Sequence, residues 1–472
     1  QAGDVVALNE LFARYHQTMV EVARRKLGPR LRLKEDPDDL AQTTFREATR
    51  DFGHYRYQGE GSLLRWLIQI LQNKIRDKAE FYAAGKRDMS RERNLDGDVA
   101  DDSGVKKIPD FNTGDNEGTS YFQVNQKAGR RWSAARGFLR PVLTRPNLTV
   151  LTGVTVDKIR IKGGRAVSLD YAKDGKRHEA LAAREIILSS GAVGSPAILE
   201  RSGIGDGAKL QALGIETVNH LPGVGENLQD HLQIRPIFKV HGIKTLNSEY
   251  RNLFRRAMMG VDYALRRRGP LTMAPSQVGA FVRSNERVAT ANLEFHFQPL
   301  SLDDWGKGLH PFGAFTASVC NLRPTSRGSI HLSSTKPEDA PSIRPNYLST
   351  EEDRQVAVES LEWARRIVFQ KPLEPYKPEE YKPGAHVTAH GDLVKAAGEL
   401  GTTIFHPVGT AKMGTEDDKM AVLDARLRVR GIRGLRVVDA SVMPTITSGN
   451  TNSPTIMIAE KASRMIIEDA KG

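Results

Sequence analysis

The sequence has few of the features that mark a secreted or membrane-embedded protein. Its 472 residues include a single cysteine, Cys320, which excludes an internal disulfide and any cysteine-cluster metal site. No uncharged apolar run reaches the ~18 residues of a membrane-spanning helix. Residues 1–4 lack a basic region followed by an apolar one, so no secretory signal is predicted. We therefore expect a cytoplasmic protein without a bound metal.

The composition that remains is typical of a globular protein of several domains. Hydrophobic residues make up 39% of the chain, and its length predicts more than one domain at about 150 residues each. The net charge of +12 favours polyanions electrostatically, but the basic residues are spread along the chain. The run of arginines at residues 266–268 indicates a helix C-terminus, where cations oppose the helix dipole, more than a nucleic-acid patch.

The first part of the chain is predicted to be helical. Apolar residues between Leu8 and Val22 recur at the spacing of one buried helix face. A second helix starts at Asp36-Pro37, where an acceptor cap precedes a proline in the first turn. A third is predicted over residues 63–81, and no segment here alternates as a strand would.

The composition then changes, and strands follow. Residues 94–118 are polar and rich in Asp, Gly and Asn, which predicts a linker. Strands are predicted beyond it at residues 147–152, 154–161, 185–191, 313–322 and 328–332. Helices are predicted over residues 350–369 and 455–467.

The tail of the chain carries the residues that point to chemistry. Flavin-dependent alcohol oxidation needs a base for the hydroxyl proton and a donor for the developing alkoxide. His406, in the segment Phe405-His406-Pro407, and Asn450 supply these groups if the fold brings them together. Taken singly, the histidine is more often a satisfied loop or core residue, and an asparagine after glycine is more often part of a turn.

A predicted strand ends at Asp439 and is followed by small residues from Ala440 onward. Small side chains let backbone N–H groups approach a phosphate or a sugar. The tail therefore combines a potential catalytic pair with a potential nucleotide contact.

These motifs, together with several others in the same order, resemble the glucose–methanol–choline (GMC) oxidoreductase family over about residues 105–470. The other matching segments lie at residues 109–112, 121–124, 191–205, 221–231, 323–328 and 345–348. The resemblance implies an FAD-dependent enzyme that oxidises a choline-like alcohol by hydride transfer to the flavin. It implies catalytic roles for His406 and Asn450, flavin contacts by Asp439, Ala440, Asn452, Pro454, Thr455 and Val156, and a substrate pocket that includes His231.

One part of that family's pattern is missing from these residues. No strand–GxGxxG–helix unit for the pyrophosphate of FAD is present. Residues 203–208 imitate its glycine spacing, but they follow a helical segment and read as a turn. We therefore expect the FAD-binding domain to be incomplete and FAD binding to be impaired.

The first ninety residues carry a different resemblance. The segment from Asp36 to Phe45, with residues 52–74 and 86–87, is similar to region two of extracytoplasmic-function sigma factors. This implies that RNA polymerase core and promoter DNA are partners of the N-terminal domain. The implied contact residues are Asp38, Asp39, Gln42, Lys86 and Arg87. Trp66 and Phe45 are expected to be core residues.

Three hypotheses follow: an FAD-dependent alcohol oxidoreductase, a sigma-like transcription initiation protein, and a non-functional fusion of two truncated domains. The predicted fold class is α/β (α+β), with a small all-α N-terminal domain before an incomplete FAD-binding α/β domain. A mainly antiparallel substrate-binding sheet is inserted into the latter. The predicted segments are a helical domain (1–94), a linker (95–118), a partial FAD-binding domain (119–221), a substrate-binding domain (222–400) and the C-terminal part with the active site (401–472).

Overall fold

The computed structural model describes residues 5–27, 37–52, 55–57, 59, 61–89, 104–274, 276–304 and 306–471. The chain divides into two compact units, Gln1–Leu95 and Asp96–Gly472. Both α-helices and β-strands are present, which confirms the predicted mixed α/β class. The finer division of the second unit into domains stays a prediction.

The helices are α1 (Val5–Lys26), α2 (Pro37–Asp51), α3 (Ser62–Met89), α4 (Gly191–Arg201), α5 (Gly207–Ala212), α6 (Leu246–Arg251), α7 (Leu253–Arg266), α8 (Glu351–Val368), α9 (His390–Leu400) and α10 (Asn452–Asp469). The strands are β1 (Gly118–Tyr121), β2 (Gln126–Lys127), β3 (Arg130–Arg131), β4 (Val154–Lys162), β5 (Arg165–Lys173), β6 (Lys176–Leu181), β7 (Ile186–Leu188), β8 (Ile204–Gly205), β9 (Asn219–His220), β10 (Leu232–Ile234), β11 (Ile237–Lys239), β12 (Val278–Val282), β13 (Leu293–Gln298), β14 (Ala314–Asn321), β15 (Ser329–His331), β16 (Ser342–Arg344), β17 (Glu379–Lys382), β18 (Thr402–Thr403) and β19 (Leu435–Val437). Among the helices whose residues are described, none is long and apolar enough to span a membrane.

The first unit is a helical bundle built on the predicted apolar faces. Met19, Leu40, Leu67 and Leu71 are buried together in its core, with Phe45 at their edge. Helix α2 begins at Pro37, as the sequence predicts, whereas α3 runs well beyond the predicted end at residue 81. The third helix is therefore longer than its apolar pattern indicates.

An antiparallel sheet forms the centre of the second unit. Its main path runs β1-β12-β13-β14-β10-β18, and β11 joins it by pairing with β14 and β17. The predicted strands at residues 313–322 and 328–332 correspond to β14 and β15. The edge strand β1 comes from outside the predicted insertion at 222–400, because residues 118–121 pair in register with β12.

The two faces of this sheet differ in chemistry. On β13, Leu293 and Phe295 point towards α8 and α9 and belong to one apolar core. Because side chains alternate along a strand, Glu294 and His296 lie on the opposite face. Both are buried there. The buried polar side chains of Glu294 and His296 therefore lie beside an apolar cluster that includes Phe281 and Cys320.

A second layer resembles half of a nucleotide-binding sheet. Strands β7 and β19 pair in parallel, Ile186 opposite Leu435. The three-stranded sheet β4-β5-β6 packs with α4 and this pair around a common apolar core. The carboxyl ends of β7 and β19 therefore meet at one edge, which is where open α/β sheets bind ligands.

One predicted strand is wrong. Residues 147–152 form no strand, and the extended segment begins only at Val154. Val150 and Leu151 are exposed by 41% and 49%, so no neighbouring strand buries them in the part of the unit that is described. The β-branched composition at these positions was not enough, since a strand needs a partner.

Candidate active site

Two histidines meet at the junction between the antiparallel sheet and the tail. His231 lies just before β10 and is fully buried, and its Nδ1 is 3.1 Å from Nδ1 of His406. The rings meet edge to face, with centroids 5.3 Å apart. The predicted base and the predicted pocket residue are therefore in direct contact.

The hydrogen-bond network assigns the tautomers of this pair. His231 Nε2 lies 3.2 Å from the carbonyl oxygen of Leu322, which can only accept, so this nitrogen carries the proton. A neutral His231 then has a bare Nδ1, which accepts from the Nδ1–H of His406. The remaining nitrogen, His406 Nε2, is left with a free lone pair. This is the form of histidine that can act as a base.

Burial keeps both imidazoles neutral. Desolvation lowers the pKa of His231, and the negative charge of Glu294 only partly opposes this. Desolvation, reinforced by the neighbouring His231, lowers the pKa of His406 to about 4. At neutral pH the free lone pair of His406 is therefore retained.

The residue before His231 fixes the backbone of His406. Asp230 is buried, and its Oδ1 accepts the backbone N–H of His406 at 2.9 Å. Its Oδ2 accepts from the hydroxyls of Tyr347 and Thr403. Burial and this carboxylate raise the pKa of the Tyr347 phenol, so it stays protonated as a donor. Asp230 thus holds the main chain of His406, and the next residue, His231, holds its ring.

The polar face of the sheet adds residues that sequence reasoning missed. Cys320 on β14 lies opposite both Gln233 on β10 and Glu294 on β13, so the three share one face. Both carboxylate oxygens of Glu294 are buried without a hydrogen-bond partner among the described residues. His296 Nε2 is 3.2 Å from Glu294 Oε1 but lacks hydrogen-bond geometry. The sequence signal was available: acidic and imidazole side chains two apart on an otherwise apolar strand.

The same face offers a set of metal-ligand types. One ligand atom each from Glu294, His296 and Cys320 lie within 4.8 Å of one another. Burial raises the pKa of the Cys320 thiol well above its usual value, so the sulfur is held as a thiol. A protonated thiol is a poor ligand, because metals bind the thiolate. The expectation of no metal stays a prediction.

Asn450 lies in the loop before α10 and is exposed. No hydrogen bond joins it to His406 among the described residues. Its neighbour Ser448 accepts from Arg323 Nε at 3.1 Å, and Arg323 follows the Leu322 that binds His231. The loop therefore flanks the histidine pair, while the pairing of Asn450 with His406 stays a prediction.

Asp439 occupies the carboxyl end of β19 and is buried. Its Oδ2 accepts from the N–H of Gly191 and the hydroxyl of Ser195, at 2.9 and 2.6 Å. Its Oδ1 accepts from the N–H and the hydroxyl of Ser441. The carboxylate thus joins the start of α4 to the segment that follows β19. Because four donors of the protein already occupy its oxygens, a nucleotide would have to compete with them for the predicted contact.

The other predicted flavin residues lie in different settings. Ala440 is half-buried beside Asp439, and Val156 is half-buried in β4 with its carbonyl 3.4 Å from Arg201 Nη2. Asn452 is exposed at the start of α10, while Pro454 and Thr455 are half-buried in its first turn. Their contact with a flavin stays a prediction.

The donors at this edge fit one part of FAD. Thr451 before α10 does not cap its helix with a side chain, so first-turn N–H groups of α10 are open to an acceptor, whereas the first N–H of α4, that of Gly191, is already bound by Asp439. The sequence has no GxGxxG turn for the pyrophosphate, and β7 pairs only with β19 among the described strands. The residues present fit the end of the cofactor near α10, and impaired binding of the diphosphate stays a prediction.

A cleft of about 870 Å³ lies elsewhere in the second unit. It opens at the amino ends of β7 and β19, where Arg436 is paired with Glu185 and Asp469. Arg428 also pairs with Asp424, and the cleft is at the opposite strand end from Asp439. We therefore place the candidate site at the histidine pair.

In the first unit, two of the predicted polymerase-facing residues bind each other. Gln42 Nε2 donates to Asp38 at 2.7 Å, and His16 Nε2 lies 3.3 Å from the other oxygen of Asp38. The side chains of Asp39, Lys86 and Arg87 lie outside the described residues. The polymerase- and DNA-binding roles stay predictions.

The second unit matches two family models. Residues 98–233 match the N-terminal GMC oxidoreductase model, and residues 324–459 match the C-terminal GMC oxidoreductase model. Together the two matches include His231, His406, Asp439 and Asn450.

Curated relatives give the same result. The mitochondrial choline dehydrogenase of Mus musculus is 39% identical over 368 residues, 78% of this chain and 62% of that protein. The alcohol dehydrogenase [acceptor] of Pseudomonas putida is 39% identical over 76% of this chain and 65% of its own. The oxygen-dependent choline dehydrogenase of Staphylococcus aureus (strain MSSA476) is 40% identical over 78% of this chain and 65% of its own length. The chain thus spans less than two thirds of the length of these relatives.

Solved structures share the fold. Pyridoxine 4-oxidase from Mesorbium loti superposes with a TM-score of 0.68 at 28% identity, over 78% of this chain and 68% of that one. Formate oxidase from Aspergillus oryzae gives a TM-score of 0.74 at 23% identity, and the match covers 79% of this chain and 69% of that one. The second unit of the chain belongs to the GMC oxidoreductase family.

Proposed function

We propose that the second unit oxidises the CH–OH group of a small alcohol to a carbonyl, with FAD as cofactor. The observation that carries this proposal is the lone pair on His406 Nε2, left free by the chain of hydrogen bonds through His231 to Leu322. Family membership and the alcohol-oxidising relatives support the same reaction class.

His406 is the base in this proposal. Its Nε2 takes the proton of the substrate hydroxyl while the carbon gives up a hydride, and the product is an aldehyde or ketone. Proton removal by a positioned histidine is worth about 10²–10⁴ in rate. A pKa of about 4 makes His406 a weak base in the resting state. The negative charge of Glu294 opposes this lowering of the pKa, but desolvation outweighs it.

Asn450 is the donor for the developing alkoxide. Its amide belongs to the exposed loop that flanks the histidine pair, and a carboxamide N–H stabilises an oxyanion without competing for the proton. Its effect on the rate is expected to be smaller than that of His406, because it moves no proton.

FAD, when bound, supplies the acceptor for the hydride. Asn452, Pro454 and Thr455 in the first turn of α10, and the backbone at Ala440, would hold it. Asp439 would act indirectly, by fixing the segment that starts at Ala440 through Ser441. Without a glycine turn for the pyrophosphate, we expect FAD to bind more weakly than in a protein that has one.

A cationic alcohol such as choline is the proposed substrate. Two of the relatives are named choline dehydrogenases. Glu294 offers a buried carboxylate with unpaired oxygens close enough to His406 to act on its pKa. A buried charge is stable only when it is paired, and a quaternary ammonium in the pocket would pair it.

The test uses the full chain equilibrated with excess FAD under anaerobic conditions. Choline should bleach the visible flavin absorbance of the wild-type protein. His406→Ala should slow bleaching by about 10²–10⁴ while bound FAD is retained. The control is His390→Ala, an exposed histidine at the start of α9, which should behave as wild type. Equal rates for the two variants, or bound FAD that choline never bleaches, would overturn the proposal.

The comparisons support neither the sigma-like hypothesis for the first unit nor the non-functional fusion hypothesis. Among the described residues, the internal bond between Asp38 and Gln42 gives the polymerase contact no added support. Retention of RNA polymerase core on the immobilised chain would favour the sigma-like hypothesis.

A further inference from the structure

Helix α7 has an apolar face that is largely exposed. Every residue of Leu253–Arg266 is described, and none of them is buried. Five large apolar side chains are exposed by 45–79%: Leu253, Phe254, Met258, Val261 and Leu265. At 100° per residue they fall within an arc of roughly 140° on one side of the helix. An apolar stripe of this width normally faces a core.

Arginines are frequent in and around this helix. Residues 250–268 include six arginines against a single acid, Asp262. Arg255 and Arg266 lie on the side opposite the apolar arc and each contacts an acid, whereas Arg256 stacks over the Tyr250 ring at 4.8 Å. Arg268 follows the helix and is exposed. Cations therefore border the apolar stripe.

A hairpin extends this surface. The turn between β2 and β3 reaches the end of α7, where a Cβ on Gly129 would lie 2.2 Å from the carbonyl oxygen of Arg267. The hairpin presents Lys127, Arg130 and Arg131, all exposed, and Lys127 Nζ lies 5.0 Å from the exposed Trp132 ring. We call α7 and this hairpin together the basic apolar surface.

We propose that the basic apolar surface binds the face of an anionic lipid bilayer. A strongly amphipathic helix with arginines beside Leu and Phe lies in the plane of the interface, its apolar side chains below the headgroups. Guanidinium groups pair with lipid phosphates, and a Trp prefers the headgroup level. The net charge of +12 attracts the chain to the same membranes.

Charge argues against a second copy of the chain on this surface. A two-fold contact would bring the same patch from both copies together. Arg256, Arg268 and the cations of the hairpin would then face the same cations of the second copy, and like-charge juxtaposition is unfavourable at an interface. Lipid phosphates supply the opposite charge.

The test is co-sedimentation of the full chain with vesicles. One set is pure phosphatidylcholine, and the other contains about one third phosphatidylglycerol. The wild-type chain should bind the anionic vesicles at least about tenfold more than the neutral ones, and added salt should weaken this binding. The double variant Phe254→Glu/Leu265→Glu should lose about tenfold or more, and Arg256→Glu/Arg268→Glu should lose the preference for anionic lipid.

Leu181→Glu is the matched control. Leu181 is exposed by 83% at the end of β6, so this substitution also replaces an exposed apolar side chain with a glutamate, but on another surface. It should bind as wild type, and circular dichroism should show all variants folded. Equal binding to both vesicle sets, an equal loss in the control, or a wild-type dimer that α7 variants dissociate without any vesicle binding would overturn the proposal.

Discussion

His406 acquires a definite proton position from residues far away in the sequence. Leu322 accepts from His231, His231 accepts from His406, and Asp230 holds the His406 backbone. The motif around His406 predicts the base, but only the fold shows which ring nitrogen is free. His231 is therefore a positioning residue for His406.

Two substitutions of His231 separate its orienting role from simple packing. His231→Phe keeps the bulk but removes the acceptor, and it should slow flavin reduction by choline about 10- to 100-fold. His231→Gln keeps an acceptor oxygen and should recover most of the rate. Because His231 helps to lower the pKa of His406, the acid limb of the rate profile should move to higher pH in His231→Phe. Equal rates and equal profiles in both variants would show that His231 only fills space.

At this scale the sequence predicted candidate residues but not their burial or protonation. His406 and His231 lie in recognisable segments, and they do come into contact. Glu294 and His296 were not predicted, because their strand lacks a motif and their burial depends on which face the sheet turns to the pocket. A burial state is a tertiary property, so spacing alone could not supply it.

At the scale of elements, Asp439 joins the carboxyl end of β19 to the turn that starts α4. Removing its carboxylate in Asp439→Ala would strand buried donors on Gly191, Ser195 and Ser441. Stranded buried donors cost about 1–3 kcal/mol each, so we expect at least about 3 kcal/mol of lost stability in urea denaturation. Ser441→Ala removes one donor side chain and should cost only about 1 kcal/mol. A similar cost for both variants would contradict this role.

The elements themselves were predicted unevenly. The strand β14 and the helix α8 followed their patterns closely, since each buries one regular face. Residues 147–152 have strand composition but find no partner among the described residues, and the pattern could not reveal that. Pairing of residues 118–121 with β12 joins segments about 160 positions apart, which local patterns do not contain.

At the scale of the whole molecule, each unit has its own apolar core. Met19, Leu40 and Leu67 belong to a cluster within the first unit, and Leu188, Leu423 and Val437 to one within the second. The sequence predicted a change of character near residue 94 from composition alone. Whether the second unit binds FAD could not be predicted from composition.

Separate cores predict separate functions. A chain limited to residues 96–472 should keep choline-dependent bleaching of added FAD within about twofold of the full chain, since the proposed site lies wholly in the second unit. Circular dichroism would first confirm that the shorter chain folds. Loss of bleaching in a folded 96–472 chain would show that the first unit contributes to the reaction.

The most direct measurement of the central claim is heteronuclear NMR of the imidazole nitrogens through a pH titration. Signals would be assigned with His406→Gln and His231→Gln. His406 should be neutral at pH 7 with its proton on Nδ1, His231 should carry its proton on Nε2, and His406 should become charged only near its pKa of about 4. A His406 proton on Nε2, or protonation near the ordinary histidine pKa, would contradict the account.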